Sequence, residues 1–372
     1  MNKSCILVSL FVLLFLSFVP AKAEISEDKL DENFANKNYI VEVLDVNNVT
    51  HGNEYEALNQ DVKIKILTKG AFKDKEVWIE NKVPDNPAYA VIATKGKRFL
   101  AGFDEDLDTF YIKDYFREPA LYTLMVVFVA LLIILGGSYG FKALASLVLT
   151  GLGIIYILIP GIKEGMNPIL LAVIISALAT ASTMLIVAGF SRKALAATIG
   201  TTGGVACAGL IAYLAIKLAP FSGMASTEAS ILFANLRYGI QNILLDFQGI
   251  LAAGIIIASL GAAMDVAISI ASVVQEVHDA NPSLPSSNLF SQAMNVGKDI
   301  MGTMTNTLIL AYTGSSIPLL LLLYNEPGLR FLNMEIIASE VASALIGSTG
   351  LLLAIPITAG IASLITPRNS KI

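Results

Sequence analysis

Beyond residue 120, apolar stretches of bilayer length recur along the chain, and they leave few folds open. An α-helix needs about 20 mostly apolar residues to cross some 30 Å of hydrocarbon. Only helices and closed barrels satisfy their own backbone groups in that medium. Seven such stretches are read, at 122–135, 143–159, 169–190, 195–218, 243–264, 303–323 and 336–365. The first is short and is expected to extend through Gly137. With 55% hydrophobic and 15% charged residues and a mean hydropathy of +0.68, the chain is too apolar for a soluble globule of its 372 residues.

The amino end differs. Lys3, an apolar run at 6–19 and Ala21-Lys22-Ala23 have the three regions of a secretory signal, so residues 1–23 are expected to be removed. Cys5 leaves with them, and Cys207 then has no partner for a disulfide. Residues 24–119 hold 13 basic and 20 acidic side chains, a net charge of −7, whereas residues 120–372 hold 10 of each. The first part reads as an exported acidic domain. Its charge argues against nucleic acid and leaves an envelope protein as a possible partner.

Within that domain, short alternating runs at 39–46, 61–67, 76–80, 98–103 and 109–112 read as strands. Gly52, Gly70, the 84–87 Pro-Asp-Asn-Pro turn, Gly96 and the acidic run at 104–108 punctuate them. Five short strands with tight turns predict a small OB-like or SH3-like barrel. The expected fold class is therefore an all-α polytopic membrane protein of about seven transmembrane helices with a small exported all-β domain. The boundaries are 24–119 for the β-rich domain, 120–366 for the helical domain and 367–372 for a cytoplasmic tail. An exported amino end and seven crossings put the carboxyl terminus inside; the loop charges, six basic residues inside against five outside, favour the same orientation weakly.

One carboxylate interrupts the fifth stretch. Asp265 is the only charge between Ile250 and Val274, and acids inside apolar helices are costly enough to be functional candidates. Helical spacing puts Gly254, Ala258, Gly261, Asp265, Ser269, Ser272, Glu276 and Asp279 on one face, ending at Asn281-Pro282, where proline disfavours helix in its predecessor. Asp246 and Asp265 enclose 18 residues, about 27 Å of helix, which sets Asp265 near one boundary of the hydrocarbon rather than at its centre. On the next stretch Asp299, Gly302, Thr303 and Asn306 share a face. Asp265, Ser269, Asp299, Thr305 and Asn306 are the candidate ion or solute site, because oxygen ligands suit hard ions and protons. Ser272, Glu276, Glu340 and Asp246 form a second tier; Glu340 shares a face with Ala344 and Gly347. Gly200, Gly204, Gly254 and Gly261 have the small-residue spacing of close helix contacts.

No P-loop or H-E-x-x-H pattern occurs, Gly347-Ser348-Thr349-Gly350 lacks the spacing of a nucleophile elbow, and the expected topology separates His51 from His278, so no catalytic motif, metal or cofactor is assigned. The runs 261–272 (GAAMDVAISIAS), 297–308 (GKDIMGTMTNTL) and 310–314 (LAYTG) resemble the YibE/F-like family of bacterial membrane proteins, over roughly residues 120–366. The exported domain makes the chain resemble the YibE type. That resemblance implies a bacterial cytoplasmic membrane and brings no assigned site residues. Movement of a small ion or solute by a permease-like or channel-like core is the expected function; the alternative is an envelope scaffold or signalling component whose exported domain binds a partner.

Overall fold

The computed structural model describes residues 38–51, 56–105, 107–238, 245–324 and 326–366; the expected signal peptide, tail and most of the polar lead-in lie outside them. The chain divides into two compact units near Leu131. The first contains five strands, β1 (Tyr39–His51), β2 (Glu56–Ile66), β3 (Glu76–Pro84), β4 (Arg98–Asp104) and β5 (Thr109–Tyr115). All five predicted runs are strands, with β1 through β3 longer than read. They form one antiparallel sheet in the order β3-β2-β1-β4-β5. The outer strands β3 and β5 come close to each other, which makes the sheet nearly barrel-like.

Alternation explains the register. Val41 stands opposite Ile66 and Val43 opposite Ile64, and these side chains pack inward with Tyr39, Val62, Ile79, Phe99, Ala101 and Phe110. A buried amide pair holds the 85–97 connection to the sheet. Gln60 Oε1 accepts from Ala93 N (2.8 Å) and from Asn81 Nδ2 (3.0 Å), and Asn81 Nδ2 also donates to Val91 O (2.9 Å). The acidic run at 104–108 is the β4–β5 turn: Asp104 accepts from Leu107 N (3.2 Å) and Asp108 adopts a positive φ of 46°.

The rest of the chain is helical: α1 (Glu118–Lys163), α2 (Pro168–Ala188), α3 (Arg192–Leu218), α4 (Thr227–Tyr238), α5 (Phe247–Ala280), α6 (Ser286–Ser315), α7 (Ile317–Leu322), α8 (Gly328–Asn333) and α9 (Glu335–Ile365). Among the described residues, five of these are long and apolar enough to cross a membrane: α1, α2, α3, α5 and α9. The sequence reading counted seven, and the difference has two causes. Its first two stretches both fall in α1, either side of Gly137, whose φ of 54° and ψ of −127° break the helix. Beyond the break Gly140 lies against the Leu132 carbonyl, so the chain doubles back where glycine alone leaves room. Its sixth stretch falls on the second half of α6 and on α7, and the polar residues of α6 keep that helix out of the apolar class.

Local chemistry marks the helix ends. Asn167 accepts from Leu170 N (3.0 Å) ahead of Pro168, Ser191 accepts from Ala194 N (3.1 Å), and Asp246 accepts from Gly249 N (2.9 Å). Gly189, at φ 69°, stops α2, and α5 stops at Ala280, immediately before Asn281-Pro282 as expected.

Helices α3, α5 and α9 form the centre, with α2 on α3 and α5 and with α6 on α5 and α9. Gly200 sits against Thr358, Gly204 against Gly350 and Ala354, and Gly350 against Ala208. Those contacts fix α3 antiparallel to α9 at backbone distance. Gly297 beside Ile270 and Ile355, and Leu308 beside Gly347, likewise set α6 antiparallel to both α5 and α9.

Gly204→Ala is expected to destabilise the detergent-solubilised protein by about 1–3 kcal/mol, because the added methyl meets the Gly350 carbonyl. Gly261→Ala, with open space around it, should be neutral or stabilising by up to about 1 kcal/mol. Thermal unfolding of the two variants compares them directly.

The β-rich unit carries the chain's only tryptophan, Trp78 on β3, half exposed at 48%. Hydrogen bonds from Lys95, Lys63 and Arg117 hold the carboxyls of Asp45, Glu76 and Asp114 below their ordinary range. Such groups stabilise the fold above about pH 4, where the unfolded chain ionises, and withdraw that contribution as pH falls through their lower folded values. Acid unfolding followed by Trp78 fluorescence should therefore shift to higher pH in Lys95→Met.

Candidate functional site

The face of α5 that carries Asp265 is turned away from the helices of its own chain. Gly254, Ala258, Gly261, Asp265, Ser269 and Glu276 are exposed, whereas Ile256, Ala263, Val266, Ile270 and Val274 on the opposite side are buried. The apolar residues meet α2, α3, α6 and α9, and the two glycines of the exposed face meet none of the described residues. Gly254 and Gly261 have no neighbour within 4 Å of where a Cβ would sit, so they are not packing glycines within this chain, unlike Gly200 and Gly204. Their spacing alone did not distinguish the two pairs, because a helix meets a neighbour only on the side where the fold supplies one.

The five leading candidates share a region without forming a network. The α5–α6 register puts Asp265 level with Gly302 and Gly261 level with Asn306. Asp299 and Asn306 are exposed on α6. Thr305, one residue away on the helix, has its hydroxyl buried with no hydrogen-bond partner. Ser269 Oγ donates to the Asp265 carbonyl oxygen (2.8 Å), and Ser272 Oγ donates to Ile268 O (2.6 Å), bonds that satisfy each hydroxyl within its own helix. Among the described residues no side-chain-to-side-chain hydrogen bond joins Asp265, Ser269, Asp299, Thr305 and Asn306.

Two acids of the second shelf have structural roles or a pocket. Asp246 caps α5, as described. Glu340 is half-buried beside Ser316, whose hydroxyl lies 3.3 Å from its Oε2. These two groups open on a cavity of about 240 Å³ between α6, α7 and α9, walled by Ile309, Tyr312, Leu319, Leu320, Ile337 and Ala344. The buried Tyr312 hydroxyl is without a hydrogen-bond partner. Glu340, Ala344 and Gly347 do share a face, and it is turned toward α6. Sequence reasoning passed over Tyr312, Thr313 and Ser316. Their signal was the polar break they make in an otherwise apolar stretch, but their pairing with Glu340 depends on a register that spacing does not encode.

Helix α6 differs from its neighbours throughout its length. Lys298, Asp299, Gly302, Thr303, Asn306, Thr307, Thr313 and Gly314 are all exposed on it. From Asp299 to Thr313 that side extends about 21 Å, with the exposed Leu310 interrupting its polar groups. Elsewhere Glu335 accepts from the backbone of Ser222 and Gly223 and from Ser222 Oγ, which ties the 219–224 connection to the start of α9.

A sheet of five strands followed by a bundle of helices, five of them among the described residues long and apolar enough to cross a membrane, defines a helical protein with an appended β-rich unit. Residues 124–368 match the YibE/F-like protein family, and the chain belongs to it. No curated protein and no solved structure gives a match.

Proposed function

We propose that the chain is a permease-like or channel-like membrane protein that moves a small ion or solute along the polar side of α6. The observation that carries this reading is the length of that side. About 21 Å is roughly two thirds of the hydrocarbon thickness of a bilayer; the hydroxyls of Thr303, Thr307 and Thr313 bond within their own helix, but lipid tails offer no partners to the Asn306 amide and the Asp299 carboxylate. Such a face is tolerated where it borders water, and a wet face through a bilayer is a route for polar species. Asp265 and Asp299 stand toward one end of it and Glu340 toward the other.

The helix directions agree with this arrangement. Counting α1 as two passes either side of Gly137, and adding α2, α3, α5, α6 and α9, the alternating directions of α3, α5, α6 and α9 support seven crossings, with the β-rich unit outside and the carboxyl end in the cytoplasm. The strand order, with β3 beside β5, supports an OB-type barrel for that unit. Residues 1–23 would direct its export across a bacterial cytoplasmic membrane.

A scaffold or signalling role is the second reading, favoured by exposed apolar groups on the β-rich unit: Tyr89 and Leu107 at 73% and Trp78 at 48%. In that case an envelope protein would cover them.

Reconstituted vesicles separate the two. Ion flux above that of empty vesicles is expected for the full chain, with Asp265→Asn and Asn306→Leu each reducing it at least about tenfold while the protein remains folded and inserted. Deleting residues 24–116 should leave much of the flux. Flux at the empty-vesicle level across the common monovalent and divalent ions would remove the transport reading, and unchanged flux in Asp265→Asn would remove that residue from the path.

A further inference from the structure

We infer that the cavity between α6, α7 and α9 is a binding site for an ammonium group attached to an apolar chain. The inference stands on the cavity and goes beyond the transport reading, since a bound amine requires no movement across the membrane.

The cavity presents one carboxylate, Glu340, with the Ser316 hydroxyl beside it and Tyr312 and Thr313 also in its lining; Thr313 Oγ1 donates to the Ile309 carbonyl. Glu340 has no ion-pair partner among the described residues, and Arg330 on α8 is engaged by Glu326 at 3.0 Å. The remaining wall is almost wholly apolar, with Ile309, Leu319, Leu320, Ile337, Val341 and Leu345. Each class of ligand can be weighed against that lining. An anion would be repelled by Glu340. A hard divalent cation needs six or more oxygens, and the lining offers too few. A neutral apolar molecule would leave the carboxylate without its charge-assisted bonds in dry surroundings. A cation that carries its own apolar body satisfies both ends: N–H groups donate to Glu340, the Tyr312 ring adds an aromatic face to the wall, and the chain occupies the leucine and isoleucine end. The volume, about 240 Å³, equals roughly eight waters' share of liquid, enough for a short alkylammonium. By contrast, the larger cavity of about 400 Å³ lined by Thr150, Tyr156, Ile175 and Ser182 contains no charged residue, so it offers no such discrimination.

The same chemistry can come from a free amphipathic amine or from the headgroup of phosphatidylethanolamine. The test uses the full chain in neutral maltoside micelles, with hexylammonium as the probe and hexanol as its uncharged counterpart, followed by titration calorimetry. Hexylammonium should bind at one site, and Glu340→Gln, which keeps an oxygen for Ser316, should weaken it at least about tenfold. Hexanol should bind more weakly and be indifferent to that substitution. Ala344→Leu narrows the apolar end and keeps the carboxylate; it should lower hexylammonium binding as well, with thermal unfolding confirming that both variants are folded. In nanodiscs, displacement of hexylammonium by phosphatidylethanolamine but not phosphatidylcholine assigns the lipid headgroup as the source, and absence of displacement assigns a free amine. Equal affinities for hexanol and hexylammonium, or full hexylammonium binding in folded Glu340→Gln, would overturn the assignment.

Discussion

The contact between α3 and α9 determines where every other helix of the bundle can stand. Gly200, Gly204 and Gly350 remove side chains from the seam, so Thr358, Ala354 and Ala208 touch backbone rather than side chain. Apolar helices gain little hydrophobic driving force from one another in lipid, and close van der Waals packing has to supply the specificity. A seam this tight has one register, because a shift by one residue sets a methyl against a carbonyl. With α3 and α9 locked, α5 fills the groove they leave, burying Ile256, Ala263 and Ile270, and α6 rests on the remaining sides of α5 and α9.

The peripheral position of α6 follows from its composition. Only Leu289, Ala293, Gly297 and Leu308 of its 30 residues are buried, so it adds little to the core and leaves its polar side uncovered. The two short contacts that place it, Gly297 on Ile355 and Leu308 beside Gly347, both involve glycines on the line of approach. They bring Tyr312 and Ser316 to Glu340 and so create the amphipathic cavity. The packing of α6 on α5 and α9 rests on that narrow strip of buried residues.

Much of the architecture was legible because it rests on local periodicity. Two-residue alternation gave the five strands, the Asn281-Pro282 stop ended α5, and Gly200 and Gly204 read as packing positions. Other features depend on what a face meets, and spacing cannot report that. Gly254 and Gly261 have the same signature as Gly204 yet look into open space. Thr305 and Asn306 are neighbours in sequence, one with a buried hydroxyl and the other exposed. The break at Gly137, by contrast, lies in Gly136-Gly137-Ser138-Tyr139-Gly140, between the first two stretches read, so its position was legible in the sequence. Glu340 read only as sharing a face with Ala344 and Gly347; its pairing with Ser316 joins positions 24 residues apart in sequence.

Asp265 is the residue whose reading changes most. Within its own chain it belongs to an outward face of small residues, 19 residues beyond the Asp246 cap. A carboxylate near a hydrocarbon boundary can reach water, so its position there costs far less than at mid-bilayer. Desolvation alone therefore no longer argues for function. What remains is the cluster of exposed polar groups on α6, Asp299, Thr303 and Asn306, which are set apart from Asp265 on the outward face of α5. A lone acid can be tolerated at an interface; the Asn306 amide, in a stretch otherwise turning apolar, has to be solvated or covered.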